Sequence, residues 1–245
     1  MAAARARLES QFGTRILISS PEVIAIADDK LKTAHFMAER GFVAPLSAQG
    51  SDNENVERIV AAVGFPLIVK PRIGARSVGV HKVRNRRELV EAIGRVESCV
   101  VQECAGDDDR EYTASGLCFD GRCDAVIVMR RDLRDGNTYR AFVSLEPELD
   151  QHVRIWTEAL DPLGPANFQF RVGRDGVPRV FEINARFSGT TPLRALAGFN
   201  EVEMCLRRLL WNEPIMQPAI RELTVLRHWS EIAIDPARAT SVPAI

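Results

Sequence analysis

The sequence predicts an α+β fold with two lobes, and three observations carry that expectation. Short apolar runs of strand length interleave with amphipathic helical stretches through the first part of the chain. After Asp107-Asp108-Asp109 the chain turns β-rich, with two hairpins marked by their turn residues. Cap and turn residues stand where each element has to stop. The 245 residues are 46% hydrophobic and 27% charged, enough core for one large domain or two small ones, and too apolar for disorder. With 32 basic and 33 acidic side chains, the chain carries no electrostatic footprint for nucleic acid or an anionic membrane. Apolar runs such as 65–69 and 125–129 fall far short of the roughly 18 residues that a membrane helix needs, so the expectation is a soluble, cytoplasmic, enzyme-sized protein.

Residues 2–12 read as a helix ended by Gly13, and 15–18 as a short strand. Ser20-Pro21-Glu22 opens a helix, with serine as cap, proline at the first position and an acid in the first turn. A second helix, 29–40, stops at Gly41. After the polar run 49–55 comes a helix over 55–63, then strands at 67–71 and 79–83 around a glycine loop. A helix near 87–96 leads to a strand at 99–103, and 105–109 is the expected lobe boundary. Strands 111–119 and 122–129 flank Asp120-Gly121, the strongest hairpin signal in the chain. A second hairpin pairs 167–172 with 177–184, and helices follow near 192–197 and 201–210.

Cys99, Cys104, Cys118 and Cys123 form two C-x4-C pairs, looser than zinc spacing and without a nearby histidine, so reduced, partly buried thiols are expected. The basic N-terminus (Arg5, Arg7, Arg15) lacks an apolar core for a secretory signal; Glu9 favours an ordinary helix over a transit peptide.

Two stretches point to phosphate and metal chemistry. Lys70 ends a strand ahead of a loop whose Gly74 and Gly79 have Walker-type spacing, but Val80-His81 replaces the required Lys-Ser/Thr, so a P-loop is excluded. What remains is a plain hairpin with a surface lysine, or a glycine hairpin closing over phosphates with Lys70 as a point charge. In Phe181-Glu182-Ile183-Asn184-Ala185-Arg186, strand alternation sends Phe181 and Ile183 to the core and Glu182, Asn184 and Arg186 to the other face. Pairing Asn167 with Glu182 puts Gln169 diagonally beside Glu182 on that face. Hard oxygen donors beside a guanidinium suit a Mg²⁺–phosphate site; a solvated polar face is the competing reading. The strand end at Glu103-Cys104-Ala105 could present its backbone to an adenine edge, and Glu111 could accept from ribose hydroxyls, or each glutamate could be a surface charge.

In this order, the set resembles the ATP-grasp superfamily, in the branch of the carbamoyl-phosphate synthase large subunit. The resemblance covers about 19–210 and rests on Ser20-Pro21-Glu22, Asp29-Lys30, Phe65-Pro66, Val69-Lys70-Pro71, Gln102-Glu103, Arg110-Glu111-Tyr112, Asn167-Phe168-Gln169-Phe170 and Phe181 through Gly189. It implies two α+β lobes, 21–104 and 105–245, clasping ATP, with 1–20 as the remnant of a preceding domain. It further implies Lys30 and Lys70 on the phosphates, and Gly74, Ser77 and Gly79 in the covering loop. By the same resemblance Glu103, Cys104 and Ala105 meet adenine, and Glu111 meets ribose. Gln169, Glu182 and Asn184 correspond to ligands of Mg²⁺ (or Mn²⁺), and Arg186 to the catalytic residue beside the transferred phosphoryl group. Arg130, Arg131, Arg134 and Arg140 lie where relatives place a further γ-phosphate contact, and no motif selects one. The implied reaction joins a small-molecule carboxylate to an amine or other nucleophile through an acyl phosphate; an ATP-binding, non-catalytic role is the alternative. The short segment ahead of Ser20 leaves room for a partner chain or a homo-oligomer to complete the acceptor side.

Overall fold

The computed structural model describes residues 1–74, 77–106 and 110–228, and two antiparallel sheets organise them. The smaller sheet contains β1 (Ser47–Gln49), β2 (Leu67–Pro71), β3 (His81–Val83) and β4 (Cys99–Glu103) in the order β1-β4-β2-β3. The larger contains β5 (Glu111–Phe119), β6 (Arg122–Arg134), β7 (Asn137–Val143), β8 (Gly164–Val172), β9 (Pro178–Asn184) and β10 (Leu223–Leu226), ordered β10-β7-β6-β5-β8-β9. The described residues also form eight α-helices: α1 (Arg5–Phe12), which buries none of its residues, α2 (Pro21–Asp28), α3 (Lys30–Glu39), α4 (Asn53–Val63), α5 (Arg86–Arg95), α6 (Pro147–Leu160), α7 (Thr191–Leu196) and α8 (Glu201–Trp211). None among the described residues is long and apolar enough to cross a membrane.

Local chemistry explains the boundaries. Ser20 Oγ caps α2 by accepting from Val23 N at 3.3 Å, with Pro21 in the first turn where its missing N–H costs nothing. Asp29 Oδ1 accepts from Leu31 N (3.0 Å) and Lys32 N (3.3 Å), which starts α3 and fixes where Lys30 points. Asp120 and Gly121 both adopt positive φ (53° and 75°), as the tight β5–β6 hairpin requires. Gly116 allows α6 to lie on β5: a Cβ there would come within 2.1 Å of Thr157 Oγ1.

The larger sheet is covered on two faces. α6, α2 and α3 close one face over Trp156, Phe168, Phe170, Val180 and Ile183, with the Trp156 and Phe170 rings edge to face at 5.3 Å. α7 and α8 close part of the other over Leu117, Met129, Phe199 and Cys205. α4 and α5 cover the smaller sheet through Val56, Ile59, Leu89 and Ala92. Sequence order groups α2 and α3 with the smaller sheet, but Val23, Ala27, Phe36 and Met37 are buried in the core of the larger one.

Several expectations need correction. Residues 15–18 form no strand; Leu17 instead packs its side chain against the core of the larger sheet. β1, β7, α6 and β10 are additional elements. Gln169 faces Glu182 directly and Asn167 faces Asn184, because a bulge between Gln169 and Phe170 shifts the β8–β9 register. The extra residue on β9 is Phe181, so its ring turns away from the core and lines the cleft. Of the expected glycine loop, residues 75 and 76 lie outside the described residues, as do 107–109 of the expected lobe boundary.

Candidate functional site

A cleft opens between the two sheets. Its walls come from Ile68, Val78, Val80, Leu133 and Phe181, with Glu103, Cys104 and Ala105 at the end of β4. Among the described residues its charged groups are four cations, Lys30, Lys70, Arg131 and Arg171, and three carboxylates, Glu103, Glu111 and Glu182. One region is thus apolar and edged by backbone, while the other is ionic.

Lys70 projects from the central part of the smaller sheet, where it is buried. Its Nζ donates to Gln102 Oε1 (2.8 Å) and across the cleft to Phe181 O (3.2 Å). Burial pushes its pKa down to about 7, against the Glu182 carboxylate, which holds it up, and with Lys30 and Arg171, which lower it further. Lys30, also buried, donates from Nζ to Gly74 O at 2.9 Å and so holds the stem of the glycine loop. Arg72 reinforces that stem through a two-pronged pair with Asp29 Oδ2 (3.1 and 2.5 Å). Ser77 and Gly79 both have positive φ (55° and 72°), and Gly79 is needed, since a Cβ would crowd Pro71 at 3.1 Å. Glu103 Oε2 accepts from Leu46 N at 3.0 Å, so its carboxylate ties the end of β4 to the residue that precedes β1.

The larger sheet supplies the opposite wall. Gln169 Nε2 and Asn184 Nδ2 both donate to Glu182 Oε1, at 3.2 and 3.0 Å. No protein donor among the described residues reaches Glu182 Oε2. That open oxygen between two amides fits a hard divalent cation that draws its other ligands from phosphate and water. Among the described residues no group of three His, Cys, Asp or Glu side chains is placed to hold a metal, so Glu182 with its two amides is the donor set that remains. The amide oxygens now accept from arginines, Gln169 Oε1 from Arg131 (2.7 Å) and Asn184 Oδ1 from Arg186 (2.9 Å). Arg186 itself is exposed just outside the cleft lining.

Glu111 lies in the cleft but offers no free acceptor for a ribose. Its Oε1 accepts two N–H bonds from Arg131 (3.0 and 2.7 Å) and its Oε2 two from Arg171 (2.9 and 2.7 Å). Four donors saturate a carboxylate, so Glu111 acts here by aiming two guanidinium groups. Among the four candidate arginines only Arg131 lines the cleft. Arg130 and Arg134 stack instead on Phe142 (3.7 Å) and Tyr139 (4.5 Å), and Arg140 pairs with Asp132 at 2.5 Å. Strand alternation is the reason: Arg130 and Asp132 share one face of β6, and Arg131 between them takes the other.

Sequence reasoning missed Arg171 and the roles of Gln102 and Phe181. Arg171 follows Gln169 by two residues on β8, so the same alternation that selects Gln169 points to it. The five cysteines are free thiols; Cys118 and Cys123 are partners across β5 and β6, and burial pushes Cys118 up to about 12 and Cys123 up to about 11.

A cleft between two antiparallel sheets, each with helices on it, and with lysines of one facing an amide–carboxylate cluster of the other, defines the ATP-grasp class of fold. Solved structures agree on the fold. The biotin carboxylase domain of Hydrogenobacter thermophilus 2-oxoglutarate carboxylase, with MgADP, ADP and bicarbonate, has a TM-score of 0.69 and 20% identity over 89% of this chain and 53% of its own. An L-amino acid ligase from Bacillus licheniformis has a TM-score of 0.66 and 22% identity over 88% of this chain and 55% of its own. Within the class, the chain belongs to the family described as ATP-grasp in the biosynthetic pathway with Ter operon, which matches residues 97–231. The C-terminal part of D-ala D-ala ligase matches 35–102. Carbamoyl phosphate synthase large chains are similar as well: that of Sulfolobus acidocaldarius is 26% identical over 79% of this chain and 20% of its own, and that of Kocuria rhizophila 28% over 74% and 18%. This chain therefore spans about a fifth of the length of those relatives.

Proposed function

We propose that the protein is an ATP- and Mg²⁺-dependent ligase that activates a small-molecule carboxylate as an acyl phosphate and passes the acyl group to an amine. The observation that supports this most is the meeting of buried Lys70 with the Gln169–Glu182–Asn184 cluster across one cleft. Adenine lies in the apolar region against the Glu103–Ala105 backbone, and the phosphates run toward Lys70, Lys30, Arg131 and Arg171. Glu182, Gln169 and Asn184 would hold Mg²⁺ (or Mn²⁺), which offsets phosphate charge when bound.

The substrate carboxylate oxygen attacks the γ-phosphorus, a new P–O bond forms and the β–γ bridge breaks, releasing ADP. The four cleft cations offset charge on the phosphoryl oxygens through this step. The amine nitrogen then attacks the acyl carbon, phosphate leaves with the carbon–oxygen bonding pair, and the ammonium proton passes to solvent. Loop residues Gly74, Ser77 and Gly79 exclude water from the labile anhydride.

Purified full-length chain with ATP, Mg²⁺ and a panel of acids and amines should release phosphate, and Glu182→Gln should abolish release. Silence of the wild type across the panel, with ATP binding intact by calorimetry, would instead support a non-catalytic ATP-binding role.

A further inference from the structure

Two guanidinium groups meet at the turn after β9, that of Arg186 within it and that of Arg227 reaching it from beyond β10, and no carboxylate among the described residues pairs with either. Arg186 donates from Nη1 to Phe187 O at 3.0 Å and from Nη2 to Asn184 Oδ1 at 2.9 Å. Arg227, one residue beyond β10, donates from Nη2 to Gly189 O at 2.5 Å, while its own N bonds to Tyr139 O at 2.8 Å. Most arginines nearby are treated differently: Arg131 and Arg171 pair with Glu111, Arg140 with Asp132 and Arg194 with Glu201.

The turn that presents them is built to stay fixed. Ser188 Oγ and Thr190 Oγ1 lie 2.7 Å apart, and Ser188 N donates to Thr191 Oγ1 at 3.2 Å. Thr191 donates in turn to Glu201, a fully buried carboxylate also held by Ser115 (2.5 Å) and Arg194 (3.0 Å). The carbonyls that receive Arg186 and Arg227 are two residues apart on this anchored backbone.

Charge separates this place from the cleft. Among the described residues, the cleft lining nearly balances four cations with three carboxylates, whereas no carboxylate pairs with the two guanidinium groups at the turn. Arg186 touches Asn184, so the turn adjoins the metal-facing end, where an acid must place the carboxylate to be phosphorylated. A second cation across the turn suits a second negative charge on the same molecule, since a guanidinium fork matches a carboxylate or phosphate.

We propose that Arg186 and Arg227 form an anion subsite that selects acid substrates carrying a second anionic group, a dicarboxylate being the simplest case. The inference rests on the ligase reading only in assuming that this end of the cleft receives the acid.

The test is calorimetry on the full chain with Mg²⁺ and the non-hydrolysable analogue AMP-PNP. Malonate, succinate, glutarate and adipate are titrated beside the monocarboxylates of the same carbon number. At least one diacid should bind tenfold or more tightly than its counterpart. Arg227→Gln should remove that preference and leave AMP-PNP binding and the melting temperature unchanged, and Arg227→Lys should retain part of it. Absence of any diacid preference, or a preference that survives Arg227→Gln, overturns the subsite. Phosphate release with the same acids and an amine panel separates the two readings. Diacid binding without release defeats the ligase and keeps the subsite, while release that favours monoacids and diacids equally does the reverse.

Discussion

Two buried carboxylates, Glu111 on β5 of the larger sheet and Glu201 at the start of α8, hold arginines, and they differ in what surrounds them. Glu201 and Arg194 are sealed from solvent, and the pair gathers Ser115, Thr113, Asn167 and Thr191 around it. Burial lowers the pKa of Arg194, Glu201 opposes that shift, and Arg194 Nε has no hydrogen-bond partner. Glu111 also binds guanidinium groups through both oxygens, but Arg131 and Arg171 face the cleft and keep partial exposure (9% and 20%). The lesson is about exchange of partners. A sealed pair can only be kept or lost, whereas a pair at a cleft wall can trade its carboxylate for an incoming phosphate.

The largest effect should come from breaking the sealed pair. Glu201→Gln leaves Arg194 as an uncompensated buried cation, which costs about 3–5 kcal/mol. The melting temperature should fall by on the order of 10 °C, and ATP with Mg²⁺ should not restore it. Nucleotide rescue of this variant would show that the network communicates with the cleft and is not sealed from it.

Glu111→Gln should cost less, about 1–3 kcal/mol, because water can reach the two arginines it releases. Here ATP should restore stability, since its phosphates supply the missing negative charge; at a hundredfold excess over Kd binding contributes about 2.7 kcal/mol. Thermal melts of both variants with and without nucleotide measure the contrast directly. Equal rescue, or none, would break it.

Lys70 gives a pH test of the cleft side. Its folded value of about 7 lies below the ordinary lysine value of 10.5. Below pH 7 both folded and unfolded chains carry the proton. Between about 7 and 10.5 only the unfolded chain does, so this group makes stability climb with pH across that window. Lys70→Met should abolish that part of the slope in denaturant titrations at pH 7 and 9. Bound phosphate favours the ammonium, so ATP binding above pH 7 should take up a proton and weaken by up to about tenfold per pH unit. Calorimetry in buffers of different ionisation enthalpy reads the proton, and an affinity flat from pH 7 to 9 would refute the coupling.

Much of this was legible in residue order, and what was not has physical causes. Ser20-Pro21 and Asp29 announce their helices because capping is a local interaction. Asp120-Gly121 announces its hairpin for the same reason, and Asp135-Gly136, with φ of 50° and 71°, closes β6–β7 by the same signal. The cleft face of β8 and β9 follows from alternation, which brings Gln169, Glu182 and Asn184 together. The bulge at Phe181 does not follow, because one extra residue leaves the apolar pattern of the neighbours intact while moving one ring to the other face. Nor does the partner of Glu111. Its acceptor capacity is consumed by Arg131 and Arg171, which are 20 and 60 residues away in sequence, so only tertiary structure sets which donors arrive.

The smallest expected effect tests the choice among the arginines. Arg134 stacks on Tyr139 on the side of β6–β7 away from the cleft, so Arg134→Gln should change stability by no more than about 0.5 kcal/mol and leave ATP affinity unaltered. Arg131→Gln removes a guanidinium that bridges Glu111 and Gln169, so it should weaken ATP binding tenfold or more and raise the Mg²⁺ concentration needed for it. The two variants carry the same change in charge, three residues apart on one strand. Any long-range electrostatic account must therefore predict similar losses, and a contact account must not. Titrating ATP into each at low and moderate salt decides between them: matching losses that fade with salt would mean that the cleft reads the net charge of the hairpin, and the face assignment of Arg131 would then have no functional content.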